Sequence, residues 1–152
     1  MKKKIYLSII IFSLLIVIFS IYTSYNTEDE KIISSFLNDY FKQTVLTDEG
    51  WTKLIESPEN LNNFVSNFDK YVVEKELNRL SSNRHLPCPY FKELPDDYNY
   101  TILSISKLSP GNYEVTMDIS EQTTTFSVRM TNTQKGRKIE YIDIEKLIDK
   151  LK

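Results

Sequence analysis

Tyr113-Glu114-Val115-Thr116-Met117-Asp118-Ile119 and, a few residues on, Phe126-Ser127-Val128-Arg129-Met130 alternate apolar and polar residues with a period of two. Successive side chains of a β-strand point to opposite faces, so each run reads as a strand with one apolar and one polar face. Glu121-Gln122 reads as the turn between them, and strands joined by so short a connection pair antiparallel. Upstream, Tyr98 to Lys107 reads as another strand, closed by the turn Ser109-Pro110-Gly111-Asn112. Its adjacent Ile102 and Leu103 break the alternation and predict a β-bulge. Downstream, Asn132 to Gly136 reads as a turn, Lys138 to Ile144 as a fourth strand, and Leu147, Ile148 and Leu151 as a closing helical turn. A four-stranded meander of this kind has one apolar face that something must cover.

The cover lies upstream, where the period changes to that of a helix. Ile32, Ile33, Phe36, Leu37, Tyr40, Phe41 and Val45 predict an amphipathic helix over Glu28 to Leu46, started by a Thr27/Glu30 capping box. Asp48 to Glu56 reads as a short second helix with Trp51, Leu54 and Ile55 on its apolar face, weakened by Gly50. Ser57-Pro58 starts a third, with Ser as N-cap and Pro in the first helical position. Its stripe of Leu61, Phe64, Val65, Phe68, Val72, Leu77 and Leu80 carries it to about Arg79. Ser81 to Asp97, with Pro87, Pro89, Pro95 and the turn signal Asp96-Asp97, separates helices from strands. The expected fold class is α+β: three helices packed on a four-stranded antiparallel meander.

Ahead of this domain stands a different kind of segment. Met1-Lys2-Lys3-Lys4 precedes Ile5 to Tyr22, in which 13 of 18 residues are Ile, Leu, Val or Phe and none is charged. As a helix it would rise roughly 27 Å, the thickness of a bilayer's hydrocarbon core. Its apolar residues together favour insertion by roughly 4–8 kcal/mol. With the lysines before it and Glu28, Asp29 and Glu30 after it, the positive-inside rule leaves the N-terminus in the cytoplasm. Residues 1–22 are thus expected to be a single-pass signal-anchor, 23–27 a tether, and 28–152 an extracytoplasmic domain. A cleaved signal peptide, with secretion of the remainder, is the alternative. The exits Ile18-Phe19-Ser20 and Tyr22-Thr23-Ser24 lack the small residues at −3 and −1 that cleavage favours.

Composition narrows the function classes. Setting aside Lys2, Lys3 and Lys4 leaves 16 of the 19 basic residues against 21 acidic ones, which argues against nucleic acid as a partner. The densest basic cluster, Lys135-Gly136-Arg137-Lys138, reads as a solvated hairpin turn. A single cysteine rules out an internal disulfide, so the domain relies on its apolar core. No glycine-rich phosphate loop occurs, and no cofactor is expected. Abundant Ile, Lys, Asn, Ser and Tyr with little Ala or Gly points to an AT-rich, Gram-positive genome.

The order long helix, short helix with Trp51, third helix and four strands resembles the NTF2-like superfamily, whose fold is a cystatin-like α+β cone. So does the closing pair, Phe126-Ser-Val-Arg-Met and Lys138-Ile-Glu-Tyr-Ile-Asp-Ile. The resemblance spans roughly Glu28 to Lys150. It implies an envelope or conjugation accessory domain behind a membrane helix. The strand pair inserted among the helices of many catalytic members is missing, and so is an Asp-His dyad at matching positions.

Candidate sites are few. Tyr90, Phe91, Tyr98 and Tyr100 cluster around the Pro-rich loop, either as packing at the open end of the sheet or as an interaction surface and pocket rim. Glu114, Thr116 and Asp118 share a strand face that should look at solvent; in a cone interior they would line a polar pocket. His85 and Cys88 form H-x-x-C, two ligands where zinc needs three or four, and no second His or Cys exists. As a nucleophile and base, the pair lacks a helix N-terminus under Cys88. Asp96, Asp97, Asp118 and Glu121 have no obligatory pairing, and the sequon Asn99-Tyr-Thr101 reads as chance. No catalytic or metal residue is assigned. The expected function is a membrane-anchored, non-enzymatic domain acting through an unidentified protein partner. The alternatives are a small-ligand module with a pocket between sheet and helices, and a SnoaL-type hydrolase or isomerase.

Overall fold

A computed structural model describes residues 28–94 and 98–150. The expected anchor and tether, Thr27 of the capping box, Asp96, Asp97 and Leu151 lie outside these residues. Among the described residues, no helix is long and apolar enough to cross a membrane. The architecture is α+β: helices, then a four-stranded antiparallel sheet in the order β1-β2-β3-β4.

Helix α1 covers 28–41 and tightens into a 3-10 turn at Lys42–Val45. Ile33, Phe36, Leu37, Tyr40 and Phe41 are all fully buried, one stripe at spacings of three and four. Burying five such side chains is worth on the order of 10 kcal/mol before chain entropy is counted. On the outer side of α1, Asp39 accepts from Lys42, from the Tyr71 hydroxyl at 2.6 Å and from Lys70 at 3.1 Å. Lys42 foremost, then the Tyr71 hydroxyl, lowers its pKa from 3.8 to about 2. A carboxylate depressed in the folded state stabilises above its unfolded pKa. That contribution should therefore fade as pH falls from 3.8 towards about 2. In acid titrations followed by circular dichroism, Asp39→Asn should flatten this part of the stability profile.

Helix α2 (Asp48–Glu56) has the expected bounds, and the Thr47 hydroxyl, which the sequence reading did not single out, caps it by accepting from the Gly50 N–H at 3.1 Å. Trp51 and Leu54 are buried on its inner face, but Ile55 is 67% exposed and leaves the predicted stripe. Helix α3 (Pro58–Ser66) has Ser57 as its cap.

The third predicted helix does not reach Arg79. It breaks after Ser66, and a separate helix, α4, covers Glu74–Ser82. Between them residues 67–72 make turn hydrogen bonds, and the chain then pairs with the sheet. The Val73 N–H donates to the Ile139 carbonyl at 2.9 Å, and the Ile139 N–H donates to the Tyr71 carbonyl at 2.7 Å. Groups that pair with a strand cannot also close helical hydrogen bonds, and Val72-Val73 favours extended backbone. Phe68, Val72, Leu77 and Leu80 are nevertheless all buried, so the stripe was real while its continuity was not. The detour also covers one edge of the sheet.

Strands β1 (Tyr100–Ser109), β2 (Asn112–Ile119), β3 (Gln122–Thr133) and β4 (Gly136–Ile142) form the meander. Tyr113, Val115, Met117, Ile119, Phe126, Val128 and Met130 are buried on its inner face, as the alternation requires. The predicted bulge is present: pairing shifts between Ile102 and Ser104, which leaves Leu103 exposed and keeps Ile102 and Ile105 facing inward. A second bulge in β1, between Lys107 and Ser109, does the same to Leu108. A third lies opposite Arg129 and Met130, with Glu140 as the extra residue. It reconciles Ile139 and Ile142, which strict alternation would place on opposite faces although both are fully buried.

Pro110-Gly111 turns β1 into β2, with Gly111 at φ +75 as a type II turn demands. A Cβ there would stand 2.9 Å from the Met130 carbonyl oxygen. Gly111→Ala is expected to destabilise by about 2 kcal/mol or more, left-handed strain adding to that clash. A lowered denaturation midpoint at unchanged m-value would confirm it.

Helix α4 is fastened to β4 and to the closing helix α5 (Glu145–Ile148) by one buried carboxylate. Glu76 is 3% exposed. It accepts from Arg79 through both carboxylate oxygens at 2.8 Å, and from the Ile142 N–H at 2.9 Å. Arg79 also donates to the Ile142 carbonyl at 2.7 Å and to Glu145 at 2.8 Å.

Candidate functional site

α1 runs across the inner face of the sheet from one end to the other. Its first described turn lies over the starts of β2 and β4, and Phe41 at its last turn stacks on Tyr100 at the start of β1, 4.1 Å between ring centres. The first of these ends also holds the β1–β2 and β3–β4 turns, and there the structure opens a cleft of about 490 Å³. Asp29, Lys107, Pro110, Gly111, Asn132 and Arg137 contribute to its lining.

The cleft is organised around a buried carboxylate. Asp29 is 1% exposed. Arg137 grips both of its oxygens, at 2.7 Å through Nε and 2.6 Å through Nη2, and the Tyr113 hydroxyl donates at 2.8 Å. The remaining Arg137 nitrogen reaches Asn132 at 3.2 Å. Burial first, and the neighbouring carboxylate next, push the Tyr113 hydroxyl well above its ordinary pKa, so it stays protonated and donates. The Asp29 carboxylate raises the Arg137 pKa in turn. A carboxylate that accepts three donors and faces an arginine is a brace, not a proton acceptor for chemistry. Within the lining the Arg137 charge is balanced by Asp29, and Lys107 adds a further cation.

Sequence reasoning took Asp29 only as a flanking acid and Arg137 only as part of a turn. A signal was available for the first: Asp29 lies four residues before Ile33 and seven before Phe36, on the apolar stripe itself. A carboxylate in that position needs a buried partner. Nothing local pointed to Arg137, which is 108 residues away.

The predicted aromatic residues lie at the opposite end. Phe91 is 2% exposed, with ring centres 5.2 Å from Tyr40 and 5.5 Å from Phe41. Tyr98 and Tyr100 both stack on Phe41, so three of the four gather around one buried ring. Tyr90 is half-buried against the core. Glu114, Thr116 and Asp118 alternate with the buried residues of β2 and lie on the outer face of the sheet. There Thr116 meets the Thr125 hydroxyl at 3.2 Å, and Asp118 is half-buried. The Asp118 Oδ1 is buried without a hydrogen-bond partner. Cys88 is fully buried and its N–H donates to the Gln43 side chain at 2.8 Å, while His85 lies 3.9 Å from Glu145. Among the described residues, no three His, Cys, Asp or Glu side chains converge on a point that could hold a metal. Of the Lys135-Gly136-Arg137-Lys138 cluster, Arg137 turns to Asp29 and Lys138 to Asp69.

No family model matches the chain, and no curated protein matches it. Among solved structures it is similar to a protein of unknown function from Bacteroides thetaiotaomicron, determined at 2.10 Å. The TM-score is 0.58 at 17% identity, covering 81% of this chain and 94% of that one. At that identity the likeness concerns the fold alone.

Proposed function

We propose that the chain is a membrane-tethered extracytoplasmic domain of the cystatin-like cone type, which works through protein contacts rather than catalysis. The observation that carries this reading is the filled interior. The space between α1 and the sheet, where a ligand or substrate pocket would open, is occupied by Phe36, Tyr40, Phe41, Met117 and Phe126, each no more than 1% exposed. The order of helices and strands supports the cone assignment. The apolar run Ile5 to Tyr22, with lysines only on its N-terminal side, supports the tether and its orientation. What remains for function is the outside of the domain, including the exposed Leu103, Leu108 and Ile55.

Crosslinking in native membranes, followed by identification of the attached proteins, tests the proposal. A discrete partner that depends on the domain's surface supports it; a chain that crosslinks only to itself or to nothing overturns it. Orientation is tested with a membrane-impermeant thiol reagent on mildly unfolded intact cells. Cys88 should react before lysis, and reaction only after lysis would place the domain inside.

A further inference from the structure

We propose that His85, the single histidine of the chain, is a pH-sensitive clasp that fastens the closing helix α5 to the loop after α4 when it carries a proton. The backbone sets the imidazole in place. Beyond α4 the His85 and Leu86 N–H groups both donate to the Leu80 carbonyl, at 2.8 Å and 3.1 Å, and Leu86 is fully buried. The His85 side chain, 17% exposed, is thereby held against the first turn of α5, with Nδ1 3.9 Å from Glu145 Oε1.

The charges around the ring are unbalanced without that proton. Two carboxylates share one guanidinium: Arg79 gives Nε and Nη2 to Glu76 and Nη1 to Glu145. Glu76, Arg79 and Glu145 therefore sum to one negative charge, and a protonated His85 brings the four groups to zero. Asp149, four residues along α5 from Glu145, adds a further carboxylate on the same side of that helix. Lys146, next to Glu145, turns to Asp143 at 3.2 Å, and Arg84, next to His85, is exposed to water. Burial of the ring and the charge of Arg79 work against the imidazolium. The grip of Glu76 on Arg79 offsets the second of these, which leaves the Glu145 carboxylate to decide. Imidazole changes charge between about pH 5 and 8, where the carboxylates and the guanidinium do not. The His85 pKa should thus stand higher in the folded protein than in the unfolded chain. Such a group contributes its stability in full below its unfolded value of about 6.5, and the contribution is lost as pH rises through the folded value. Acid tightens the end of the chain, and mild alkali loosens it.

The test uses the full chain, isotopically labelled for NMR and held in detergent micelles. With one histidine in the chain, the imidazole resonance reports a single titration. Its midpoint should lie above about 6.5 and fall towards that value in Glu145→Gln. Glu145 is 46% exposed, so this variant keeps the fold. The Ile148 and Asp149 amides of α5, which donate to the Ile144 and Glu145 carbonyls, give a second readout. Corrected for intrinsic exchange, their hydrogen exchange should quicken as pH rises through the midpoint. The gain should approach about tenfold for each pH unit by which the midpoint is raised, and it should vanish in His85→Asn. A midpoint at or below about 6.5 would overturn the clasp. So would a midpoint that Glu145→Gln leaves in place, or a pH dependence of exchange that survives in His85→Asn.

Discussion

Glu76→Ala is expected to cost the domain about 3 kcal/mol or more, because it strands a half-buried arginine and a buried backbone donor together. Glu76 is the shared acceptor for Arg79 and for the Ile142 N–H, and Arg79 in turn holds the Ile142 carbonyl and Glu145. The carboxylate raises the Arg79 pKa further, so the guanidinium cannot relieve its loss by giving up a proton. Against a total stability of roughly 5–15 kcal/mol, this is a large fraction. The melting temperature should fall by about 10–20 °C. Glu76→Gln, which keeps an oxygen for the Ile142 N–H, should cost about half as much. Thermal and urea denaturation of the two variants would test this. A Glu76→Ala loss below about 1 kcal/mol would mean that solvent reaches Arg79 and that the network adds little.

Asp29→Ala comes second, at about 3 kcal/mol, since it leaves Arg137 and the Tyr113 hydroxyl facing an apolar interior. Among the described residues Asp29 accepts only from side chains, whereas Glu76 also holds the Ile142 backbone N–H, which keeps the cost below that of Glu76. The pair is worth less than its breaking suggests. Asp29→Leu combined with Arg137→Met should recover at least about half of the loss, because an apolar pair avoids the desolvation of two charges. A double-mutant cycle by denaturant titration would measure this, and a double variant no better than Asp29→Ala would show that the ion pair itself holds α1 to the sheet. The Asp29 experiments bear on the proposed function, since α1 fills the interior.

Periodicity carried most of the fold. The two-residue period over Tyr113 to Met130 dictates strands with one buried face whatever surrounds them, because a strand has no other way to sort its side chains. The stripe Ile33-Phe36-Leu37-Tyr40-Phe41 dictates a helix for the same reason at a different period. Ser57 marked one helix start through a hydroxyl that caps locally. All of these signals act within a few residues along the chain.

What the sequence could not decide depends on partners far along it. The stripe leaves the helix where the Tyr71 carbonyl and the Val73 N–H pair with Ile139 of β4, some 70 residues downstream. Ile139 and Ile142 share a face only because a bulge admits Glu140 between them, and Leu103 and Leu108 are exposed by the same device. The aromatic residues of the Pro-rich loop became packing around Phe41 because α1 delivers that ring to them. The cleft, with its Asp29–Arg137 brace, exists only where the first turn of α1 meets the first residues of β4. Local period and capping chemistry thus determined which residues form helices and strands and which faces they bury. Only the tertiary structure decided which buried charges meet, where the stripe breaks and which end of the sheet the chain enters, because those outcomes are set by contacts between segments that no local signal connects.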